Sequence, residues 1–133
     1  MRVSARPRRA IPSSHLVLVV EDDADFREAL VTALEHEGYE VIAAVNGAAA
    51  LQLLQWRIVP SVVLLDLMMP VMDGRTFRER QLADPALASI PVIVLSADAQ
   101  AAELAATPGV HAVLSKPVDF DALLRALDGL CAE

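Results

Sequence analysis

Several short apolar runs of this chain are each followed by a polar group, and these groups fit one kind of chemistry. In chain order, the groups are Glu21 and Asp22, Asp66, Ser96 and Lys116, which is the only lysine of the sequence. Carboxylate oxygens are ligands that Mg²⁺ prefers, and the ion commonly takes only one or two carboxylates from a protein. An aspartate beside a cation can act as a nucleophile on phosphorus, while an ammonium and a hydroxyl neutralise the phosphoryl oxygens. The pattern therefore predicts Mg²⁺-assisted phosphoryl transfer to Asp66.

Each of these residues also has an ordinary structural explanation when it is taken alone. Glu21 and Asp22 are compatible with a solvated turn, strands often end in Asp or Ser, and most lysines lie on the surface. The segment LMMPVMDG after Asp66 favours the functional interpretation, because its apolar residues and its proline predict a rigid, partly apolar rim around the carboxylate. The methionines of this segment are expected to pack rather than to bind a ligand. The three histidines share no metal-ligand spacing, and we expect them in tail, surface or loop positions.

Strand-like and helix-like patterns alternate along the chain and position these groups. Continuous apolar runs, typical of strands buried on both faces, occupy residues 16–20, 61–65, 91–95 and 112–115, and the more polar segment 39–44 predicts an edge strand. Helical patterns occupy the segment from Asp23, a capping residue, to Gly38, and residues 47–57, 74–83, 98–107 and 120–131. Five strands alternating with five helices predict an α/β fold with a doubly wound, five-stranded parallel sheet. The carboxyl ends of its strands gather at one edge, where open α/β folds bind ligands.

The length and the charge of the chain restrict the class of protein. At 133 residues, of which 55% are hydrophobic, the chain fits one domain with a core of ordinary size. The first 15 residues contain four arginines and no acid, which predicts a flexible basic tail at residues 1–15 and one folded domain at residues 16–133. From residue 15 onward, seven basic and eighteen acidic residues give a net charge of −11. Such a charge repels nucleic acid and favours a bound cation.

Several features favour a cytoplasmic location. The apolar run that follows the basic start has five residues, whereas a secretory signal needs ~7–15. No apolar run approaches the ~20 residues that a membrane-spanning helix requires. Cys131 is the only cysteine, so no disulfide can form within the chain, and a reducing compartment fits best. We therefore expect a cytoplasmic protein that makes no membrane contact.

Four segments carry a resemblance to a known family. They are VLVVEDD (17–23), VVLLDLMMPVMDG (62–74), IPVIVLSA (90–97) and VLSKP (113–117). In their order and spacing, which extend over residues 16–131, the chain resembles the response regulator receiver domain of two-component signalling and is similar to its single-domain chemotaxis type. The resemblance implies a flavodoxin-like strand order, 2-1-3-4-5, with the acidic pair and Asp66 on adjacent strands.

The resemblance implies a role for each residue of the acidic cluster. Asp66 matches the phosphoacceptor of the family. Glu21 and Asp22 match the acidic pair that binds Mg²⁺ together with Asp66. Met68 matches the position whose backbone carbonyl completes the metal shell.

The resemblance also implies how the domain switches, and one position departs from the family pattern. Ser96 matches the hydroxyl that turns toward the phosphoryl group, and Lys116 matches the lysine that pairs with that group and precedes a cis bond to Pro117. The family often has an aromatic ring three residues before this lysine that swings inward on activation. Here the position is Val113, so the signal is expected to pass through the loop and helix at 96–109 instead.

The predicted function is phosphorelay signalling. A histidine kinase or phosphotransfer protein transfers a phosphoryl group to Asp66, which shifts a two-state equilibrium in the 96–118 region and changes the affinity for a partner. We expect the domain to assist its own phosphorylation and dephosphorylation, without acting as an enzyme on outside substrates. We expect no direct binding of nucleic acid. A homodimer through the fourth helix, the fifth strand and the fifth helix is the assembly that the resemblance suggests.

Two alternatives from other classes remain open at this point. A Mg²⁺-dependent phosphatase with an aspartyl-phosphate intermediate usually carries its nucleophile after the first strand as Asp-x-Asp, and it binds its substrate with an inserted cap. Here the first strand is followed by Glu-Asp-Asp, and no such insertion is evident. A pseudo-receiver that serves only as an interaction module would typically have lost an acid or the lysine, and this chain retains both.

Overall fold

A parallel five-stranded sheet forms the centre of the computed structural model, which describes residues 15–97, 103 and 107–131. In chain order the strands are β1 (Leu16–Val20), β2 (Glu40–Ala44), β3 (Val62–Asp66), β4 (Val92–Ser96) and β5 (Val110–Ser115). Their order in the sheet is β2-β1-β3-β4-β5. This is the order that the resemblance implies, and it places the carboxyl ends of all five strands at one edge.

The described residues contain four helices, where the sequence predicts five. They are α1 (Ala24–His36), α2 (Gly47–Gln55), α3 (Gly74–Ala83) and α4 (Phe120–Cys131). The predicted helix at 98–107 falls on residues that the structure mostly leaves undescribed, and at 107–109 the chain already turns toward β5. The second helix ends two residues earlier than predicted, because Arg57 adopts a left-handed φ of 68° that cannot continue a right-handed helix. Across the described ranges, no helix combines the length and the apolar character needed to cross a membrane.

Side-chain caps begin the helices at the predicted positions. The side chain of Asp23 accepts hydrogen bonds from the backbone N–H groups of Asp25 and Phe26 and so starts α1. Asp119 caps α4 in the same way by accepting from the amides of the first helical turn. Gly38 follows the end of α1 with a φ of 99°, a backbone conformation that glycine adopts without strain.

The sheet is buried on both faces, as its continuous apolar runs predict. Every residue of β3 and of β4 is buried. One face packs against α1 and α4, and the other packs against α2 and α3. The main helix residues in these two layers are Leu30, Leu34, Leu123 and Leu127 on one face, and Leu51, Leu54 and Phe77 on the other. The more polar β2 lies at the edge of the sheet, where the sequence pattern predicts it.

Two residues lie differently from the sequence expectation. The sequence pattern places His15 in the tail, but in the structure it has an exposed fraction of 4%, and its carbonyl accepts the N–H of Glu40 at 3.4 Å. The folded region therefore includes residue 15, because this backbone bond extends the pairing of β1 with β2. The sequence pattern predicts that the Met68 side chain packs, whereas in the structure its exposed fraction is 67%. It lies between the buried Leu67 and Met69 in the loop that follows β3.

Candidate functional site

The register of the sheet brings the carboxylates together. Val20 of β1 lies opposite Leu65 of β3, so Glu21 and Asp66 follow at the same level of two adjacent strands. Both residues are buried, with exposed fractions of 1% and 3%, whereas Asp22 is exposed. Each of these three acids offers one carboxylate oxygen, and the three oxygens lie within 4.8 Å of one another. The structure thus forms the acidic cluster that the sequence predicts.

Lys116 reaches this cluster from the end of β5. Its Nζ donates a hydrogen bond to Oε1 of Glu21 at 2.9 Å and lies 3.5 Å from Oδ1 of Asp66. The peptide bond between Lys116 and Pro117 is cis, as the resemblance implies. The only lysine of the chain therefore forms an ion pair with two buried carboxylates at once.

Ser96 is the last residue of β4, which lies in the sheet between β3, the strand that ends at Asp66, and β5, the strand that Lys116 follows. The preceding Leu95 lies opposite Asp66, so Ser96 stands one residue beyond the level of this carboxylate on the adjacent strand. Its exposed fraction is 3%, and its carbonyl accepts the N–H of Lys116 at 3.0 Å. The structure therefore brings all of the predicted site residues to one edge of the sheet.

The loop after β3 fixes the position of Asp66. The backbone N–H of Met68 donates to Oδ1 of Asp66 at 3.3 Å, and the N–H of Gly74 donates to the carbonyl of Leu67 at 3.0 Å. A Cβ atom at Gly74 would lie 2.5 Å from the carbonyl oxygen of Asp66, which is closer than packed atoms approach. Glycine is therefore required here, since α3 begins in direct contact with the backbone of the site residue.

Two residues of α1 support the site but were not identified from the sequence. Nη1 of Arg27 donates to the carbonyl of Glu21 at 2.9 Å and to that of Asp22 at 3.4 Å, which holds the acidic turn against the helix. The ring of Phe26 lies below the ammonium of Lys116, with 4.8 Å between Nζ and the ring centroid, a cation–π distance. In the sequence, Phe26 fits the apolar stripe of α1 and Arg27 fits its polar face, so neither pattern indicates a contact with the site.

Burial and charge shift the pKa values of the central pair. The pKa of Asp66 is raised from 3.8 to about 6, mainly by burial and then by the neighbouring carboxylate of Glu21, while the amide of Met68 and the ammonium of Lys116 oppose the rise. Burial by itself lowers the pKa of Lys116, but its hydrogen bond to Glu21 and the charge of Asp66 raise it, and the net direction is upward. At neutral pH, the arrangement is therefore an ionised Asp66 beside a protonated Lys116.

The cluster has the donor set and the spacing of a hard-cation site. Mg²⁺ binds oxygen ligands at about 2.1 Å, so two ligand oxygens on one ion lie up to about 4.2 Å apart. The 4.8 Å limit of the cluster requires only a small shift, which the exposed side chain of Asp22 can supply. Its exposure also leaves room for the waters that Mg²⁺ retains. The three carboxylates therefore fit the predicted ion, and a ligand role for the Met68 carbonyl stays a prediction.

Sequence comparisons identify relatives of this chain. A family model described as "Response regulator receiver domain" matches residues 17–128. Transcriptional regulatory protein GlrR of Escherichia coli K12 is 42% identical over 118 residues, which are 86% of this chain and 26% of that protein. Protein PilH of Pseudomonas aeruginosa is 30% identical over 118 residues, which are 87% of this chain and 97% of that protein. The chain thus spans about a quarter of the first relative and nearly the whole of the second.

Solved structures with the same fold lead to the same family. A response regulator receiver protein from Pseudomonas putida is similar with a TM-score of 0.79 and 31% identity, over 96% of this chain and 99% of that one. The response regulator protein TrrA of Thermotoga maritima, solved in complex with Mg²⁺-BeF, is similar with a TM-score of 0.75 and 27% identity, over 86% and 97% of the two chains. Together with the family model and the strand order, these findings show that the chain belongs to the response regulator receiver domain family.

Proposed function

We propose that this chain is a phosphorelay receiver that accepts a phosphoryl group on Asp66 from a histidine kinase or a phosphotransfer protein. The observation that carries the proposal is the position of the Asp66 carboxylate. It lies in a cluster with Glu21 and Asp22 and 3.5 Å from Nζ of Lys116. A nucleophile, ligands for a hard cation and a fixed ammonium are the components that phosphoryl transfer requires.

The chemistry begins with the Asp66 carboxylate. One of its oxygens attacks the phosphorus of the donor, the P–N bond to the donor histidine breaks, and the imidazole leaves with the electron pair. Because the pKa of Asp66 is about 6, the attacking carboxylate is largely ionised at neutral pH. When Mg²⁺ is bound by Glu21, Asp22, Asp66 and the backbone carbonyl of Met68, it supplies the charge that neutralises the phosphoryl oxygens.

Two further groups accompany the transfer. The ammonium of Lys116, held by Glu21 at 2.9 Å, pairs with one phosphoryl oxygen. The hydroxyl of Ser96, which stands at the end of the neighbouring strand, donates to another. Because β4 and β5 lead directly to these two residues, we propose that their rearrangement changes the 96–118 region and the affinity for a protein partner.

The side chain at position 113 restricts how phosphorylation can be coupled to the rest of the domain. It is partly buried, lies opposite Val94 and packs against the apolar layer below α2 and α3. A valine at this position provides no ring that could swing inward on phosphorylation. We therefore assign the coupling to Ser96 and to the segment that joins β4 and β5, most of which lies outside the described residues.

The proposed partners are proteins, and the proposed location is the cytoplasm. The net charge of −11 from residue 15 onward opposes direct binding to nucleic acid. We propose no turnover of outside substrates, only assistance of the domain's own phosphorylation and dephosphorylation. A homodimer through the predicted helix at 98–107, β5 and α4 is a further proposal, which size measurements before and after phosphorylation would test.

Intact-mass spectrometry after incubation with Mg²⁺ and acetyl phosphate tests the proposed function. The expected result is one phosphoryl adduct per chain that is stable in acid, labile in base and absent when Mg²⁺ is chelated. The absence of any adduct would favour a pseudo-receiver. Steady release of phosphate from small phosphoesters would favour a phosphatase, and either outcome would contradict the proposal.

Replacement of Lys116 by Arg should preserve the fold and phosphorylation but weaken the switch. The Nζ atom contacts Glu21 and Asp66 within 3.5 Å and stands over the ring of Phe26, and a planar guanidinium is too large to occupy the same position. NMR shifts of β5 amides on phosphorylation should shrink several-fold in Lys116→Arg, while the exposed Arg80→Lys variant should match the wild type. Wild-type shifts in Lys116→Arg would mean that the ammonium has no special part in switching.

Removal of residues 1–13 should leave the rate of labelling by acetyl phosphate unchanged. Every residue assigned to the site lies between Glu21 and Lys116, and the tail contributes no acid to it. A small donor also needs no docking surface beyond the site itself. Rates of the full and shortened chains, measured by intact mass under the same conditions, check this expectation. A several-fold slower rate in the shortened chain would mean that the tail acts on the site.

A further inference from the structure

An acidic groove of about 560 Å³ runs along the outer surface of α1. Its walls include the acids Asp25, Glu28 and Glu37, small residues of α1, His36 at the end of α1, and Phe120 at the start of α4. Asp25 and Glu28 are exposed, and among the described residues neither a lysine nor an arginine lines the groove. This surface is therefore suited to a cationic segment whose basic residues are separated by small side chains.

The sequence contains one segment of this kind. Residues 1–14 carry Arg2, Arg6, Arg8 and Arg9 and no acid, whereas residues 15–133 carry a net charge of −11. The uncharged residues of this segment are mostly small or proline. Guanidinium groups suit the carboxylates of α1, because they can donate two parallel hydrogen bonds to one carboxylate.

The topology places the attachment point of this segment at one end of the groove. Leu16 lies opposite Glu40 at the start of β1, and Glu40 follows α1 after a three-residue turn. The C-terminal end of α1 is therefore close to the point where residues 1–14 join the sheet. The 13 residues of α1 extend over about 20 Å. Fourteen extended residues can span at most about 46–50 Å, so the arginines can reach both ends of the groove.

From this charge complementarity and this reach, we propose that residues 1–14 dock in the groove of their own chain, with their arginines on the acids of α1. The docking is intramolecular, and its tether supplies a high effective concentration of the segment near the groove. Asp25, at the far end of the groove, precedes Phe26, whose ring contacts Lys116. A docked segment therefore lies beside the rim that a protein phosphodonor has to cover. This consequence rests on the proposed function, whereas the docking itself does not.

Paramagnetic relaxation in the full chain tests the docking. A nitroxide is attached to Ser4→Cys in a Cys131→Ser background, and line broadening is compared at two places near the carboxyl edge of the sheet. These places are Asp25–Glu28 in the groove and Gly74–Phe77 at the start of α3, on the opposite face. The proposal predicts several-fold stronger broadening at Asp25–Glu28. It also predicts loss of the difference at about 1 M salt, where the Debye length falls to about 3 Å.

Charge variants and a mixed sample complete the test. Glu28→Gln should reduce the broadening at Asp25, whereas Glu79→Gln, which removes the same charge from an exposed position of α3, should not. Equal broadening of the two faces, or no response to salt, would overturn the proposal. So would broadening of an isotope-labelled chain by an unlabelled, nitroxide-carrying chain, because the segment would then occupy the groove of a second copy. None of these readouts requires phosphorylation, so a failure here leaves the proposed function untouched.

Discussion

Asp66→Asn is expected to melt at a higher temperature than the wild type above about pH 6 when metal ions are chelated, and the difference should disappear near pH 4. The reason is that the fold holds Asp66 in a buried position beside Glu21, which disfavours its ionised form. Asparagine is close in shape to the protonated carboxyl and carries no charge. The variant therefore avoids a cost that the wild type bears in the absence of a cation.

The sign and the size of this effect follow from the pKa. The pKa of Asp66 in the folded protein, about 6, lies above its ordinary value of 3.8. Between these two pH values, the folded protein therefore keeps a proton on Asp66 that the unfolded chain has already released. The free energy of unfolding of the wild type therefore falls, relative to the variant, as pH rises through this interval. A rise from 3.8 to about 6 corresponds to about 3 kcal/mol, or on the order of 10 °C in melting temperature.

Thermal melts of both proteins at about pH 4 and about pH 8, with a chelator present, check this expectation. Asp73→Asn is the matched control, since Asp73 lies in the same loop and caps α3 through a bond from the N–H of Thr76. Asparagine caps helices as well as aspartate does, so the control should melt like the wild type at both pH values. A lower melting temperature for Asp66→Asn at the higher pH would contradict the account.

Mg²⁺ is expected to raise the melting temperature of the wild type. An ion that binds only the native state stabilises it by about 2.7 kcal/mol at a hundred times its dissociation constant. The same ion removes the repulsion between Glu21 and Asp66, so the stabilisation should be larger at neutral than at acidic pH. Asp22→Asn should blunt the response to Mg²⁺, because this variant removes one of the three clustered carboxylates.

The neighbouring Asp23→Asn variant serves as the control for this melt series. Asp23 caps α1 and is not one of the clustered acids, so its variant should respond to Mg²⁺ like the wild type. All melts are run at fixed ionic strength, because added salt screens charges in general. Two results together would show that the three acids do not form a shared cation site. The melting temperature of the wild type would not change with Mg²⁺, and both Asp22→Asn and Asp66→Asn would melt at lower temperatures than the wild type.

Much of the fold can be predicted from the sequence because burial on both faces leaves a clear pattern. The strands ending at Val20, Asp66 and Ser96 lie where continuous apolar runs predict them, and α3 has the predicted bounds 74–83. The strand order cannot be derived in this way, since alternating elements are compatible with several orders. Only the resemblance to a family implied the order 2-1-3-4-5, which the structure has.

The sequence predicts the edge of the sheet at which the site residues meet, but it does not predict the contacts between their side chains. Parallel strands require Asp66, Ser96 and Lys116 to meet at one edge, and they do. The sequence does not indicate that Nζ of Lys116 is closer to Glu21 than to Asp66, because this depends on how the chain turns after β5.

Other contacts cannot be predicted from the sequence, because the local pattern around each residue is already explained by its position in a helix. Arg27 donates hydrogen bonds to the carbonyls of Glu21 and Asp22, although the sequence pattern predicts that it lies on the exposed face of α1. Gln81 is fully buried in α3, where it donates to the carbonyls of Leu87 and Ile90 and so fixes the loop before β4. A polar residue in a helix does not reveal such a bond, because the carbonyls that it satisfies lie in an irregular segment.

The most direct test of the central claim is the mass of the Asp66→Asn variant after incubation with Mg²⁺ and acetyl phosphate, measured beside the wild type and Asp73→Asn. We predict one phosphoryl adduct on the wild type and on Asp73→Asn, and none on Asp66→Asn, although all three proteins are folded. Wild-type labelling of Asp66→Asn would contradict it, because the phosphoryl group would then be carried by another residue.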